Sequence, residues 1–504
     1  MKIVICENPR PKNVEHYNDV ANAPLSASLN SGYALAIARR SGWDTAYLNF
    51  TSSTDAPETI ASRILAEAGD LILFHWVYSW GHEQAVCAIL DLLRSESPAS
   101  LGAFGLFPTL SCQRLLQYAP HLDFILSGEF EETLAELLDS FMDKRSVTPL
   151  PGVALRNGEY VPRALISDLA GLAIPDDVGT NCTYATLNIA ASRGCYGECS
   201  FCFIHRFYGC SRRRVRPVAS LERELEARLA RRTIDSLYFI DPTFIGGGAN
   251  ERERVVEISR MARGFSLPFG FETRVDTIDE GLMATLVDNG ATSVFLGIES
   301  GCDAVLKRIN KRVTAEQTAQ AVRICRESGI HLTIGFIMFE PDTTLAELDA
   351  NYTFLEGLGL LTDHDLTANL LYHNQIVLYG STAWERFEHE GRLTADPRLP
   401  FEACYRFRDD RVGQVCSAMG RLAAEYFMSM DNLRRDGAGT GGLCRNSGDT
   451  GSPERFNKED INLLLKEAFR AFCSAARNQS PQQVRGLEDR YVHHLHGILP
   501  AGKG

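Results

Sequence analysis

Between residues 186 and 385 short unbroken apolar runs alternate with stretches of helical spacing, and that alternation restricts the chain to a parallel α/β fold more tightly than any other feature. The runs are Ala185–Ala190, Ser236–Ile240, Phe269–Glu272, Ser293–Ile298, Leu332–Phe339 and Asp365–Tyr372. Six β/α units in series predict a parallel sheet closing as a partial (β/α)6 barrel. Residues 1–150 show the same alternation. There Lys2–Cys6, Leu71–Val77, Gly102–Phe107 and Phe124–Ser127 read as strands, and Tyr33–Arg40, Glu83–Arg94 and Glu131–Met142 as helices. A Rossmann-like domain is expected, and 504 residues suffice for several such cores. Residues 151–185, with Pro149-Leu150-Pro151-Gly152 at their start, read as a linker. Residues 386–504 form an expected, mostly helical C-terminal region, with Ile461–Ala475 as one helix and 435–453 of flexible, Gly- and Ser-rich composition.

Directly after the first run of the barrel-like region comes Ser192-Arg193-Gly194-Cys195-Tyr196-Gly197-Glu198-Cys199-Ser200-Phe201-Cys202. Three thiols in one loop at the carboxyl end of a parallel strand occupy the place where such sheets bind ligands. A [4Fe–4S] cluster takes four ligands, so Cys195, Cys199 and Cys202 would leave one iron open. A structural zinc would need a fourth ligand, for which His205 and Cys210 are at hand, and three core cysteines are the remaining alternative. The 14 cysteines accompany no export signal, which implies reduced thiols and a cytoplasmic protein. A second cluster on Cys404, Cys416, Cys444 and Cys473 is disfavoured by their wide, irregular spacing. With 45% apolar residues and no long uncharged apolar stretch the chain reads as soluble. A net charge of −13 excludes nucleic acid as a main partner. Arg212-Arg213-Arg214 with Arg216 is a local exception, expected to be a solvated turn.

The cysteine spacing, with Phe201 at the aromatic position, resembles the Cys-x-x-x-Cys-x-aromatic-Cys motif of the radical S-adenosylmethionine (SAM) superfamily. The resemblance implies that SAM chelates the open iron, and that one electron, delivered by a donor such as flavodoxin or ferredoxin, cleaves it to a 5′-deoxyadenosyl radical. Further matches follow at successive strand ends. Asp241 and Thr243 stand where the family places a polar loop near the SAM amino group. Glu272 and Arg274 could pair with the methionine zwitterion, or be an ordinary ion pair. Glu299 and Ser300 resemble a ribose-contacting segment, and Gly335 and Phe336 an adenine-backing strand.

Leu101–Thr109 and Leu122–Glu131 resemble the cobalamin-binding-type domain that precedes many radical SAM modules. Gly105-Leu106 stands where those relatives usually have a Gly-Gly pair, and Asp-x-His-x-x-Gly is absent. Leu106 and the bulky run His75–Trp80 would crowd a corrin, so the expectation is a cobalamin-type fold without its ligand, unusual cobalamin binding being the alternative. The layout is similar to the radical diol dehydratases of aminoglycoside antibiotic pathways, which implies water elimination from a small-molecule aminosugar. Glu340, Asp342, Asp363 and Asp365 are the candidate partners for its ammonium groups. His205, Tyr372, His364 and His373 are the candidate acids and bases. A cobalamin-dependent methyltransferase and a non-catalytic iron–sulfur protein are the alternative readings.

Overall fold

The computed structural model describes residues 1–11, 27–77, 81–144, 146–156, 158, 160–178, 185–394, 400–437, 456–478 and 481–499. The first sheet comprises β1 (Lys2–Glu7), β2 (Asp44–Asn49), β3 (Leu71–His75), β4 (Ser100–Phe104), β5 (Phe124–Leu126) and β6 (Val153–Leu155), in the order β2-β1-β3-β4-β5-β6. All pairs are parallel except β5 with β6. The central strands are apolar throughout because both faces are covered. Val4, Cys6, Ile72 and Phe74 pack on one face, and Ile3, Ile5, Leu71 and Leu73 on the other. Chain order reverses between β1 and β3, so their carboxyl ends open the crevice in which such sheets take ligands.

The second sheet is built around the cysteine loop. After β7 (Thr186–Ile189), the two-residue strands β8 (Ser192–Arg193) and β9 (Arg214–Val215) pair antiparallel across the base of that loop. Then follow β10 (Ser236–Phe239), β11 (Phe269–Arg274), β12 (Ala291–Glu299) and β13 (His331–Phe336), giving the parallel order β13-β12-β11-β10-β7. This sheet has five strands, not six. The expected sixth, Asp365–Tyr372, lies within a helix, His364–Tyr372. Its buried residues His364, Thr367, Ala368 and Leu371 recur at helical spacing, and the Asp363 carboxylate caps the first turn by accepting from Leu366 N at 2.9 Å. A single parallel bridge, Phe339 to Asn374, stands beside the sheet instead.

Other boundaries also shifted. Strand β4 ends at Phe104 and a helix begins at Leu106, while β6 takes residues from the stretch expected to be linker. The C-terminal region is helical, with Asp410–Gly437, Lys458–Asn478 and Pro481–Ile498. Val415, Met419, Phe469 and Phe472 from these helices share one core with Phe339 and Leu371 of the barrel region. Of the expected flexible stretch 435–453, residues from 438 onward lie outside the described ones, as do Cys444 and residues 78–80. No helix among the described residues is long and apolar enough to cross a membrane.

Candidate active site

The cysteine loop owes its shape to bonds from every side. Gly194 has φ +82°, and a Cβ there would collide with the Arg212 carbonyl. Asp241, fully buried, accepts from Ala191 N at 2.9 Å and from the Ser192 hydroxyl, fixing the exit of β7. From the opposite side the turn Ile309–Arg312 clamps the loop: Ser200 N donates to Ile309 O at 2.9 Å, and Asn310 Nδ2 to Glu198 O at 2.7 Å. Asn310 and Arg312 have φ +55° and +59°, a left-handed backbone on both sides of Lys311.

Cys199 is buried, and Cys195 and Cys202 are half-buried. Burial pushes both of the latter thiols up, Cys202 to about 12, so these thiolates need positive charge at hand. Two side chains provide it. Arg274 Nη1 reaches Cys199 Sγ at 3.5 Å, with Nε on Asp276 at 2.9 Å and Nη2 on Lys311 O at 2.8 Å. Lys311, 4% exposed, donates to Glu299 at 2.8 Å. Burial opposes its charge, but Glu299 and then Cys199 hold its pKa above the ordinary value. Among the described residues no three Cys, His, Asp or Glu side chains close on a single ion, which a mononuclear zinc requires. A four-iron cluster takes each thiolate on a different iron, so three separated thiols beside two cations fit it, and one iron remains for SAM.

Beside the loop, the barrel wall is smooth. Arg274 pairs with Gly297 across β11 and β12, and Gly297 with Gly335 across β12 and β13. A Cβ on Gly335 would meet the Phe295 ring at 3.0 Å, and one on Gly297 would meet Glu299 at 2.7 Å and Lys311 at 3.0 Å. Glu299 has φ +62° at a register shift, which turns its carboxylate toward Lys311. Glu272 is 3.5 Å from the Tyr238 hydroxyl, and no cation is among the groups acting on it. Burial, then the Asp241 charge, raise its pKa to about 7.

Several expected site residues make bonds within the protein. Asp241 holds the loop, Thr243 Oγ1 donates to Ile245 O at 3.0 Å, and Ser300 donates to Asn351 at 2.7 Å. Phe336 lies in the hydrophobic core while its neighbour Gly335 faces the other way. Glu340 pairs with Arg308, and Asp342 with Arg386 and Arg392. Asp363 is a helix cap, and Asp365 accepts from Tyr426. His364 is buried against Tyr426, and Tyr372 packs edge-on to His373 and Phe427. The basic turn is tied down rather than solvated: Arg213 donates to Thr243 O at 2.9 Å and Arg216 to Glu224 at 2.7 Å. The fourth candidate, His205, sits just past Cys202 with Nε2 3.2 Å from Thr382 Oγ1 and a buried Nδ1 that has no hydrogen-bond partner. Burial, then Arg206, lower its pKa. Phe201 is half-buried within the cysteine loop. Sequence reasoning gave no role to Lys311 or Tyr238; a lone lysine after a short helix gives no periodic signal.

The first sheet presents a polar carboxyl edge. Glu7 of β1 takes His75 Nδ1 of β3 at 3.0 Å and the Ser31 hydroxyl at 2.6 Å. Among the described residues Asn8, 1% exposed, has no partner for either amide atom, nor has Arg10 Nη1. Buried polar atoms without partners are costly, so this edge has donors and acceptors to offer a polar ligand. The glycine this turn requires is Gly105, with φ +113° and space only for hydrogen against the His75 ring, whereas Leu106 packs on the core cluster of Trp76 and Phe107. The two sheets meet here. Glu129, just past β5, binds Arg193 at 2.9 Å and Arg214 at 2.8 Å, one from each strand of the ribbon under the cysteine loop. A separate cleft of about 950 Å³, lined by Arg39, Arg40, Arg223 and Arg231, contains none of the cysteine-loop residues.

Comparison with known proteins agrees with this geometry. Residues 189–355 match the Radical SAM superfamily. An uncharacterized methyltransferase of Pyrococcus horikoshii is 27% identical over 264 residues, half of this chain and 56% of its own length. The 4′-phospho-dehydrooxetanocin synthase of Priestia megaterium is 26% identical over 320 residues, 56% of this chain and 42% of its own. The chain thus spans about half the length of these curated relatives. The fold is that of the cobalamin-dependent SAM radical enzyme OxsB, solved with aqua-cobalamin and SAM, with a TM-score of 0.71 at 18% identity over all of this chain and 77% of that one.

Proposed function

The chain carries a radical SAM domain over residues 189–355, and from that premise we propose that it is a cobalamin-dependent radical SAM enzyme that transfers a methyl group to a small-molecule substrate. The observation that carries this reading is the meeting of two edges: Glu129 joins the polar edge of the first sheet to the ribbon under the cysteine loop. Asn8 and Arg10 on the first edge would hold the corrin, and the cysteine loop in the second sheet would hold the cluster. When bound, the cluster and cobalamin supply an electron for SAM cleavage and a carrier for the methyl group.

The chain's own residues have four tasks. Cys195, Cys199 and Cys202 hold three irons. The glycines at 297 and 335 admit the Glu299, Lys311 and Phe295 side chains beside the loop. Asn8 and Arg10 take polar groups of the corrin periphery. Glu272 and His205 hold or release a proton, Glu272 being balanced between its two forms near neutrality. A methyltransferase among the relatives and a cobalamin enzyme as fold neighbour support methyl transfer over the diol dehydration expected from layout. The carboxylates assigned to an aminosugar, Glu340, Asp342, Asp363 and Asp365, are already bonded within the protein, which also weighs against dehydration. An external low-potential electron donor completes the system.

The test is anaerobic reconstitution with iron, sulfide and hydroxocobalamin, then gel filtration and incubation with SAM and dithionite. Retained corrin absorbance with release of 5′-deoxyadenosine or S-adenosylhomocysteine is the expected outcome. An intact cluster with no SAM turnover would favour the non-catalytic iron–sulfur reading, and SAM cleavage without corrin retention would remove cobalamin.

A further inference from the structure

Among the buried ionisable groups, Arg274 and Lys311 stand apart because Arg274 reaches Cys199 Sγ and Lys311 lies in the turn that clamps the cysteine loop. Arg274 touches Cys199 Sγ at 3.5 Å, and its Nη1 is held 2.6 Å from where a Gly197 Cβ would lie, beside Cys195 Sγ. The missing side chain at 197 is thus what admits the guanidinium between two of the ligands. Lys311 O accepts from the same guanidinium at 2.8 Å, so the two cations form one unit. Lys311 is aimed by an expensive backbone, with left-handed residues on both sides and a third, Glu299, gripping the ammonium.

We propose that Arg274 and Lys311 set the reduction potential of the [4Fe–4S] cluster, easing uptake of one electron from an external low-potential reductant; the proposal rests on the radical SAM reading above. One electron adds a negative charge to a centre that three thiolates already make anionic, and no proton or bond accompanies it. Two fixed cations, desolvated and pre-aimed, stabilise that added charge without reorganising. Their effect is read in the cluster before SAM is added.

The experiment is a redox titration of the reconstituted, SAM-free protein followed by electron paramagnetic resonance. Lys311→Met is expected to cut the reduced-to-oxidised ratio at fixed potential at least tenfold, a downward shift of 59 mV or more for a one-electron couple. Lys311→Arg should restore most of it. Gly197→Ala, which keeps both cations but displaces the guanidinium, should also lower the potential, and it stands in if Lys311→Met does not take up the cluster. An unchanged potential in the variants that hold a cluster, with only SAM affinity weakened, overturns the proposal and makes Lys311 a SAM ligand. Failure of the unmodified protein to assemble any [4Fe–4S] cluster would instead sink the radical SAM reading itself.

Discussion

Glu272 shows how one carboxylate reports on its surroundings. Its pKa in the folded chain, about 7, lies above the ordinary 4.5 because burial and the Asp241 charge both disfavour ionisation. Between those values the folded state holds a proton that the unfolded state has lost, so stability falls as pH rises through that window. Glu272→Gln should therefore leave stability at pH 4 nearly unchanged and raise it at pH 8 by roughly 1–3 kcal/mol, read from urea denaturation of the SAM-free protein. Equal stability of variant and parent at both values would show that the carboxylate is solvated. At the cluster, Cys199→Ser should abolish bound iron and 5′-deoxyadenosine release while the far-ultraviolet circular dichroism stays that of the parent. The three cysteines were legible in the sequence because their spacing is local. Lys311 was not, since its meaning arises only when a turn over 100 residues away folds onto Glu198.

Helix or strand was decided in this chain by which faces are covered. The central strands of the first sheet stand out as unbroken apolar runs because both faces are covered, whereas β10 and β12 of the second alternate buried with less buried positions. Edge strand β2, with exposed ends and the sequence Asp-Thr-Ala-Tyr-Leu-Asn, lacks that signature and went unread. The helix His364–Tyr372 was mistaken for a strand because its apolar residues crowd into nine positions, too few for the helical period to outweigh β-like runs. Its cap supplies the check. Asp363→Ala should cost about 1 kcal/mol of stability and leave SAM cleavage unchanged, whereas a loss of turnover without a loss of stability would return Asp363 to substrate binding. The final helix, Pro481–Ile498, buries only Val484, Glu488, Val492 and Leu495, a stripe too narrow to stand out.

Across the whole molecule two buried carboxylates, Glu129 and Glu131, tie the first sheet to the ribbon under the cysteine loop. Glu129, 6% exposed, accepts from Arg193, Arg214 and the Ile166 amide, and is held below its usual range by the two arginines against the opposing effect of burial. Glu129→Gln should cost about 3 kcal/mol, since it strands buried cations, and should lower the iron content of the reconstituted protein because the ribbon under the cysteine loop loses its anchor. Unchanged stability would mean that Glu131, which also binds Arg193, carries the junction alone. The frame of the loop has a consequence for the protein's life in air. Asp241, Ile309, Asn310 and the Ala383 amide, which donates to Ser200 O, shape it through contacts of which none passes through a sulfur. Loss of iron to oxygen is therefore expected to leave this frame standing, a bleaching rather than an unfolding, so that air-exposed protein takes iron and sulfide back without refolding; failure to reload would show that the contacts to Cys195 and Cys199 sulfur also hold the loop.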